Sequence, residues 1–216
     1  MSKKGGRVFI TFEGSEGSGK STVIKYISLK LKKIKVPFVA FREPGSTEVG
    51  ESLRKILLNS NTRKISIHTE ALLCLAARSE LVFEKIVPSL KKGKVVICDR
   101  FLDSTIAYQG YGLGVDIKWL KEISKNANFH IIPDLTILID VPVRLGLKRS
   151  GARPDLSGGR QEKDRIEKRN TEYHNRVRQG YLAMAEKEPS RFFVVSGNQP
   201  IKNMAEKIWE KISNGF

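Results

Sequence analysis

The eight residues Gly14-Ser15-Glu16-Gly17-Ser18-Gly19-Lys20-Ser21 constrain this chain more than any other stretch. They follow an apolar, β-branched and aromatic run at 8–12 and lead into a segment with helical spacing at Val23, Ile27, Leu31 and Ile34. A buried strand therefore passes into a helix through backbone that glycine adopts most readily. Backbone curled in this way aims successive N–H groups at one point before a helix N-terminus, whose partial positive charge favours anions. The spacing G-x-x-x-x-G-K-[ST] in strand–loop–helix context marks a phosphate loop. Lys20 supplies a point charge for terminal phosphates, and Ser21 a hydroxyl for a magnesium ion bridging them. A nucleoside triphosphate with Mg²⁺ is implied, with Gly14, Ser15, Glu16, Gly17, Ser18, Gly19, Lys20, Ser21 and Thr22 as the run that binds it.

Further strand-like runs recur at 38–41, 95–98, 135–139 and 192–195. Between them, helical spacing appears at Leu72, Leu75, Ser79, Val82 and Ile86, and again at Ile166, Tyr173, Val177, Tyr181 and Met184. Alternating strands and helices predict an α/β fold with a central parallel sheet of about five strands, flanked by helices on both faces. With 216 residues, one domain spanning 1–216 is expected. No apolar run approaches the roughly 20 residues that span a bilayer, so a membrane partner is not expected. Cys74 and Cys98 sit within apolar runs and read as small buried thiols, which favours a reducing, cytoplasmic setting over a disulfide framework. His68, His130 and His174 lack metal-ligand spacing, so no zinc site is expected.

Lys and Arg outnumber Asp and Glu by 39 to 23, a formal +16, so the surface attracts anions. The run Val95-Val96-Ile97-Cys98-Asp99-Arg100 is a buried strand ending in an acid and a base. Ligands of open α/β sheets lie beyond the carboxyl ends of strands, which places Asp99 and Arg100 beside the phosphate loop. Asp99 can then hold magnesium through water and Arg100 can clamp phosphate; a simple strand-end ion pair is the alternative. Residues 149–165 carry Gly151, Pro154, Gly158 and Gly159 among charged residues and read as a mobile surface loop.

Together these residues resemble the thymidylate kinases, over nearly the whole chain. The resemblance is carried by the phosphate loop, by Arg42-Glu43-Pro44-Gly45-Ser46-Thr47, and by Asp99-Arg100-Phe101 followed by Ala107-Tyr108-Gln109-Gly110. It implies a three-layer P-loop NTPase fold, transfer of the terminal phosphoryl of ATP to dTMP, Mg²⁺ as cofactor, and a homodimer. It also implies an acceptor site of Glu16, Glu43, Pro44, Arg54, Cys74, Arg78, Arg100, Thr105, Tyr108 and Gln109. Lys20, Asp99 and Arg100 are its catalytic residues, with Ser21 and Asp99 at the metal. In this resemblance Glu16 faces the acceptor sugar, Arg54 binds the acceptor phosphate, and Arg78 donates to the thymine O4. Cys74 stands where relatives commonly carry a base-stacking phenylalanine, and Thr105 where they often have serine. Read without the resemblance, Arg54 lies on an amphipathic segment and can equally be a solvent-facing charge.

The phosphate loop holds no arginine, so the resemblance assigns the cation that acts on the transferring phosphoryl to a lid at about 149–165. Arg149, Arg153 and Arg160 are the candidates, Arg153 is taken as catalytic, and Arg149 also covers the adenine. Residues 149–169 hold seven basic and four acidic residues, which also suits a solvated basic loop. Two alternatives remain open at this point: a kinase for another nucleoside monophosphate or a deoxynucleoside, and a P-loop ATPase acting on nucleic acid. The second is disfavoured because no basic stretch is interleaved with stacking aromatics.

Overall fold

The computed structural model describes residues 8–59, 65–151 and 164–214. The strands β1 (Phe9–Glu13), β2 (Phe38–Arg42), β3 (Val95–Asp99), β4 (Leu135–Asp140) and β5 (Phe192–Ser196) form one sheet in the order β2-β3-β1-β4-β5. Every neighbouring pair is parallel, as in Phe9 beside Val96 and Ile10 beside Leu135. Parallel neighbours need long crossovers, and helices supply them. In chain order these are α1 (Lys20–Lys33), α2 (Glu48–Leu58), α3 (Ile67–Leu81), α4 (Val87–Lys91), α5 (Leu102–Thr105), α6 (Ile117–Ala127), α7 (Val143–Ser150), α8 (Thr171–Lys187) and α9 (Ile201–Ser213).

The two-residue period of the strands sorts their side chains onto two faces. Ile10, Phe12, Val95, Ile97, Ile137 and Ile139 pack against Val23, Ile27 and Leu31 of α1 and Met204 and Ile208 of α9. The alternate residues Phe9, Val96 and Cys98 meet Leu81, Val82, Ile86 and Phe101 on the opposite face. Leu138, on that same face, meets Ile106, Leu120, Val177 and Tyr181. Each such side chain contributes about 1.5–3 kcal/mol by leaving water. The two helical layers thus cover both faces of the sheet.

Three expectations need correction. Ile166 lies outside α8, in the turn before it, because Asn170 caps that helix by accepting a hydrogen bond from Tyr173 N–H. The single helix expected from the spacing Leu72 to Ile86 starts at Ile67, where the Ser66 side chain accepts from Thr69 N–H, and is interrupted by a π turn at Val82–Ile86. The wider turn keeps Val82 and Ile86 both on the sheet side while Phe83 faces solvent. Cys98 is a buried core thiol, but Cys74 is only partly buried: Ala71 and Leu75 take the core face of α3, and Cys74 faces a cavity.

Candidate active site

The loop from β1 to α1 carries positive φ at Gly14, Gly17 and Gly19. A side chain at Gly14 would run into the Ile139 carbonyl of β4, and one at Gly17 into the Gly146 carbonyl of α7. Only glycine allows the loop to lie against both. Lys20, the first residue of α1, is buried and folds back over the loop. Its Nζ donates to Gly14 O (2.9 Å), Ser15 O (3.2 Å) and Ser18 Oγ (3.3 Å). Burial, reinforced by the nearby Arg100, pulls its pKa down to about 8. An ammonium held only by neutral oxygens strongly favours an arriving phosphate. Beside it, Ser21 Oγ donates to Asp99 Oδ2 at 3.1 Å, setting two hard oxygens together at the end of β3.

A cavity of about 530 Å³ opens over this loop. Residues 16–22 and Arg149 line it, with Asp99 and Arg100 on another wall. Gly14 and Ser15, expected in the ATP-binding run, do not line this cavity; their carbonyls hold Lys20. Arg149, near the end of α7, donates from Nη1 to Gly197 O at 2.8 Å, which fixes it at the rim. Arg153 and Arg160, together with residues 152–163 of the expected lid, lie outside the described residues.

All ten residues expected at the acceptor site line a second, adjoining cavity of about 120 Å³. Its floor is Arg78 of α3, which is 2% exposed. Arg78 Nε donates to Glu43 Oε2 at 2.8 Å, and Nη2 donates to Phe101 O at 3.0 Å and Thr105 Oγ1 at 2.8 Å. Burial pushes the Glu43 carboxyl up despite the opposing pull of Arg78. Cys74, one helical turn before Arg78, forms a wall, and burial pushes its thiol up to about 12, so it stays neutral. Tyr108 and Gln109 both reach the cavity although they are adjacent in sequence. They belong to a second π turn, Ile106–Gly112, whose extra residue alters the usual spacing of side chains around a helix.

Four residues line both cavities: Glu16, Glu43, Arg54 and Arg100. The backbone turns at Arg100 with φ 72°, and its N–H donates to Phe12 O, which points the guanidinium back over the phosphate loop. There Nη2 donates to Glu16 Oε1 at 2.6 Å and Nη1 to Gly14 O at 3.0 Å, while the guanidinium lies 4.8 Å from the centre of the Tyr108 ring. Tyr108 OH also donates to Glu16 Oε1 at 2.8 Å. The loop carboxylate, unexpected beside a triphosphate, is therefore neutralised by Arg100. Arg54 reaches across from α2 and donates to Pro44 O at 2.9 Å; burial draws its pKa down.

Sequence reasoning missed several neighbours. Glu13 is fully buried and accepts from Phe101 N–H (2.7 Å), Ser104 Oγ (2.6 Å) and Tyr181 OH (2.9 Å). Burial, then the charge of Asp103, raises its pKa to about 7. The only signal was an acid closing an otherwise apolar strand. Tyr181 reads as a core position on helical spacing, and the pattern cannot show that its hydroxyl reaches Glu13. Leu58, Ser104, Asp164 and Ile166 complete the smaller cavity without any local motif.

A five-stranded parallel sheet, a glycine loop joining its central strand to a helix, and an acid at the end of the neighbouring strand define a P-loop NTPase. Comparison with known proteins is more specific. A family model described as thymidylate kinase matches residues 12–208. A thymidylate kinase from Carboxydothermus hydrogenoformans is 46% identical over 202 residues, 94% of this chain and 93% of its own. One from Desulfovibrio desulfuricans is 45% identical over 193 residues, 89% of each chain. The crystal structure of thymidylate kinase from Ehrlichia chaffeensis superposes with a TM-score of 0.76 at 31% identity, covering 96% of this chain and 98% of that one. The chain belongs to the thymidylate kinase family.

Proposed function

We infer that this enzyme transfers the terminal phosphoryl group of ATP to dTMP, giving ADP and dTDP. The observation that carries the reading is the sharing of Arg54, Arg100 and Glu16 between the two cavities, which sets two guanidiniums where donor and acceptor phosphates would meet. A nucleoside monophosphate is already an oxygen nucleophile, so no general base is required. An acceptor phosphate oxygen attacks the terminal phosphorus of ATP, and the bond to the bridging oxygen of ADP breaks. The enzyme's task is to hold two mutually repelling anions in line, which cations accomplish by position and charge. In this assignment Lys20 and the loop amides take the ATP phosphates, Arg54 and Arg100 neutralise the acceptor, and Glu16 accepts from the sugar. Arg78, Thr105, Tyr108 and Gln109 surround the base.

The hydroxyl and carboxylate of Ser21 and Asp99 are hard oxygen donors of the kind that suit Mg²⁺, which keeps several waters and takes phosphate oxygens as its other ligands. When bound, it would neutralise phosphate charge. A homodimer is supported by the exposed apolar residues Leu72 and Phe83 on one side of α3 and its extension, with Phe83 stacked at 6.4 Å on the exposed Phe129. Light scattering at twice the chain mass supports that pairing, and the single-chain mass overturns it. The free thiols of Cys74 and Cys98 suit the reducing cytoplasm.

ADP release at fixed ATP and magnesium, measured over a panel of nucleoside monophosphates, tests the reaction. Rapid turnover with dTMP supports it. Turnover independent of any acceptor but stimulated by DNA or RNA overturns it.

A further inference from the structure

Glu70 lies in the first turn of α3, one turn before Cys74, and is 1% exposed. Its Oε2 accepts from Arg165 Nη2 at 2.7 Å and from Arg169 Nη2 at 2.6 Å. Its Oε1 accepts from Gln109 Nε2 at 3.0 Å. Burial alone would raise its pKa, but the hydrogen bond and charge of Arg169, with Gln109 and Arg165, outweigh it and hold the carboxyl below its ordinary range. The group is therefore an ionised carboxylate, and an ionised carboxylate only accepts.

That has a consequence for Gln109. A carboxamide offers a donor on one side and an acceptor on the other, and either orientation fits the same volume. Facing Glu70, only the NH₂ side is tolerated. The carbonyl Oε1, which accepts from none of the described residues, is left as the atom Gln109 offers to the cavity it lines. Arg78 lines the same cavity and supplies only donors, and its buried Nη1 has no partner among the described residues. One donor and one fixed acceptor match the edge of thymine or uracil, which presents the O4 acceptor beside the N3–H donor. Cytosine presents the reverse pair, an exocyclic NH₂ beside a bare N3.

We propose that Glu70 is a positioning residue for base selection: clamped by Arg165 and Arg169, it locks the Gln109 carboxamide with its carbonyl toward the acceptor base, so that the pocket takes a base with N3–H and rejects cytosine. The inference rests on the dTMP reading above and extends it to a residue that does not line the base cavity. It separates orientation of Gln109 from simple anchoring of residues 165–169.

The test compares kcat/KM for dTMP with kcat/KM for dCMP. Glu70→Gln frees Gln109 to present either face, and the dTMP-to-dCMP ratio is expected to fall at least about tenfold, the worth of one oriented hydrogen bond against a mismatched one. In a Gln109→Leu background, adding Glu70→Gln is expected to move the ratio less than about twofold, because the group through which Glu70 acts is gone. Arg169→Gln removes one clamp but leaves Arg165 on the carboxylate, and is expected to lower thermal stability while moving the ratio less than Glu70→Gln does. Should Glu70→Gln not fold, Glu70→Asp keeps the charge, falls short of Gln109 and carries the same comparison. A ratio unmoved by Glu70 substitution, moved equally without Gln109, or moved as far by Arg169→Gln overturns the proposal. Failure of the unsubstituted enzyme to use dTMP overturns the reaction itself instead.

Discussion

The two cavities of this enzyme are built in opposite ways. The larger cavity, the proposed donor site, draws more than half of its lining from consecutive residues, 16–22, and at its centre is one lysine held by loop oxygens. The smaller cavity, the proposed acceptor site, gathers side chains from six separate stretches between Glu16 and Ile166, and two of its guanidiniums are already paired before any ligand arrives, Arg78 with Glu43 and Arg100 with Glu16. In the larger cavity Lys20 awaits its counter-charge, so the fold does not depend on it. In the acceptor cavity recognition and stability share the same residues, and a change to one disturbs both.

Three substitutions probe this contrast. Lys20→Ala is expected to lower kcat by roughly 10³–10⁵-fold, on the scale of losing a cation at the transferring phosphoryl. Thermal unfolding should show no loss of stability, because a buried ammonium with a pKa drawn down to about 8 is itself unfavourable to the fold at neutral pH. A variant that melts early would erase the distinction between the cavities.

Arg78→Ala is expected to behave the other way. It leaves Glu43, itself 6% exposed, without its counter-charge, and denaturant unfolding should report a loss of about 3–5 kcal/mol. Relaxed base choice should accompany the loss. Unchanged stability would show that the acceptor pocket is as independent of the fold as the phosphate loop.

Glu13 lies behind both cavities and gives the smallest effect. Its native carboxyl keeps a proton up to about pH 7, whereas the unfolded one releases it near 4.5. The native state therefore binds more protons within that window, and its stability falls as pH rises through it. Glu13→Gln should flatten this part of the stability profile. A slope that survives the substitution would assign the titration to another group.

How much of this is legible in the sequence depends on whether a residue's partners are near in the chain. The strands at 8–12 and 95–98 are readable because burial on both faces demands continuous apolar runs; the first lies one residue later, at Phe9–Glu13, and the second runs one residue further, to Asp99. The phosphate loop was readable because its geometry needs glycine at fixed places. Ile166 was misplaced because helical spacing extends past a cap, and the cap at Asn170 decides where the helix begins. Cys74 reads as core because an apolar run does not say which side of a helix meets the sheet. Glu70 carried no signal at all, since its partners Gln109, Arg165 and Arg169 are 39 to 99 residues away.

The sequence by itself determined the parallel α/β sheet, the phosphate loop and the acid and base at the end of β3, because each depends on local backbone conformation or on hydrophobic period. Only the tertiary structure decided that Glu16 is neutralised by Arg100, that Arg78 rests on Glu43, and that Gln109 donates to Glu70. Those arrangements are set by charges that become neighbours when distant segments are buried together, where a low dielectric makes each pairing matter and where no spacing along the chain records it.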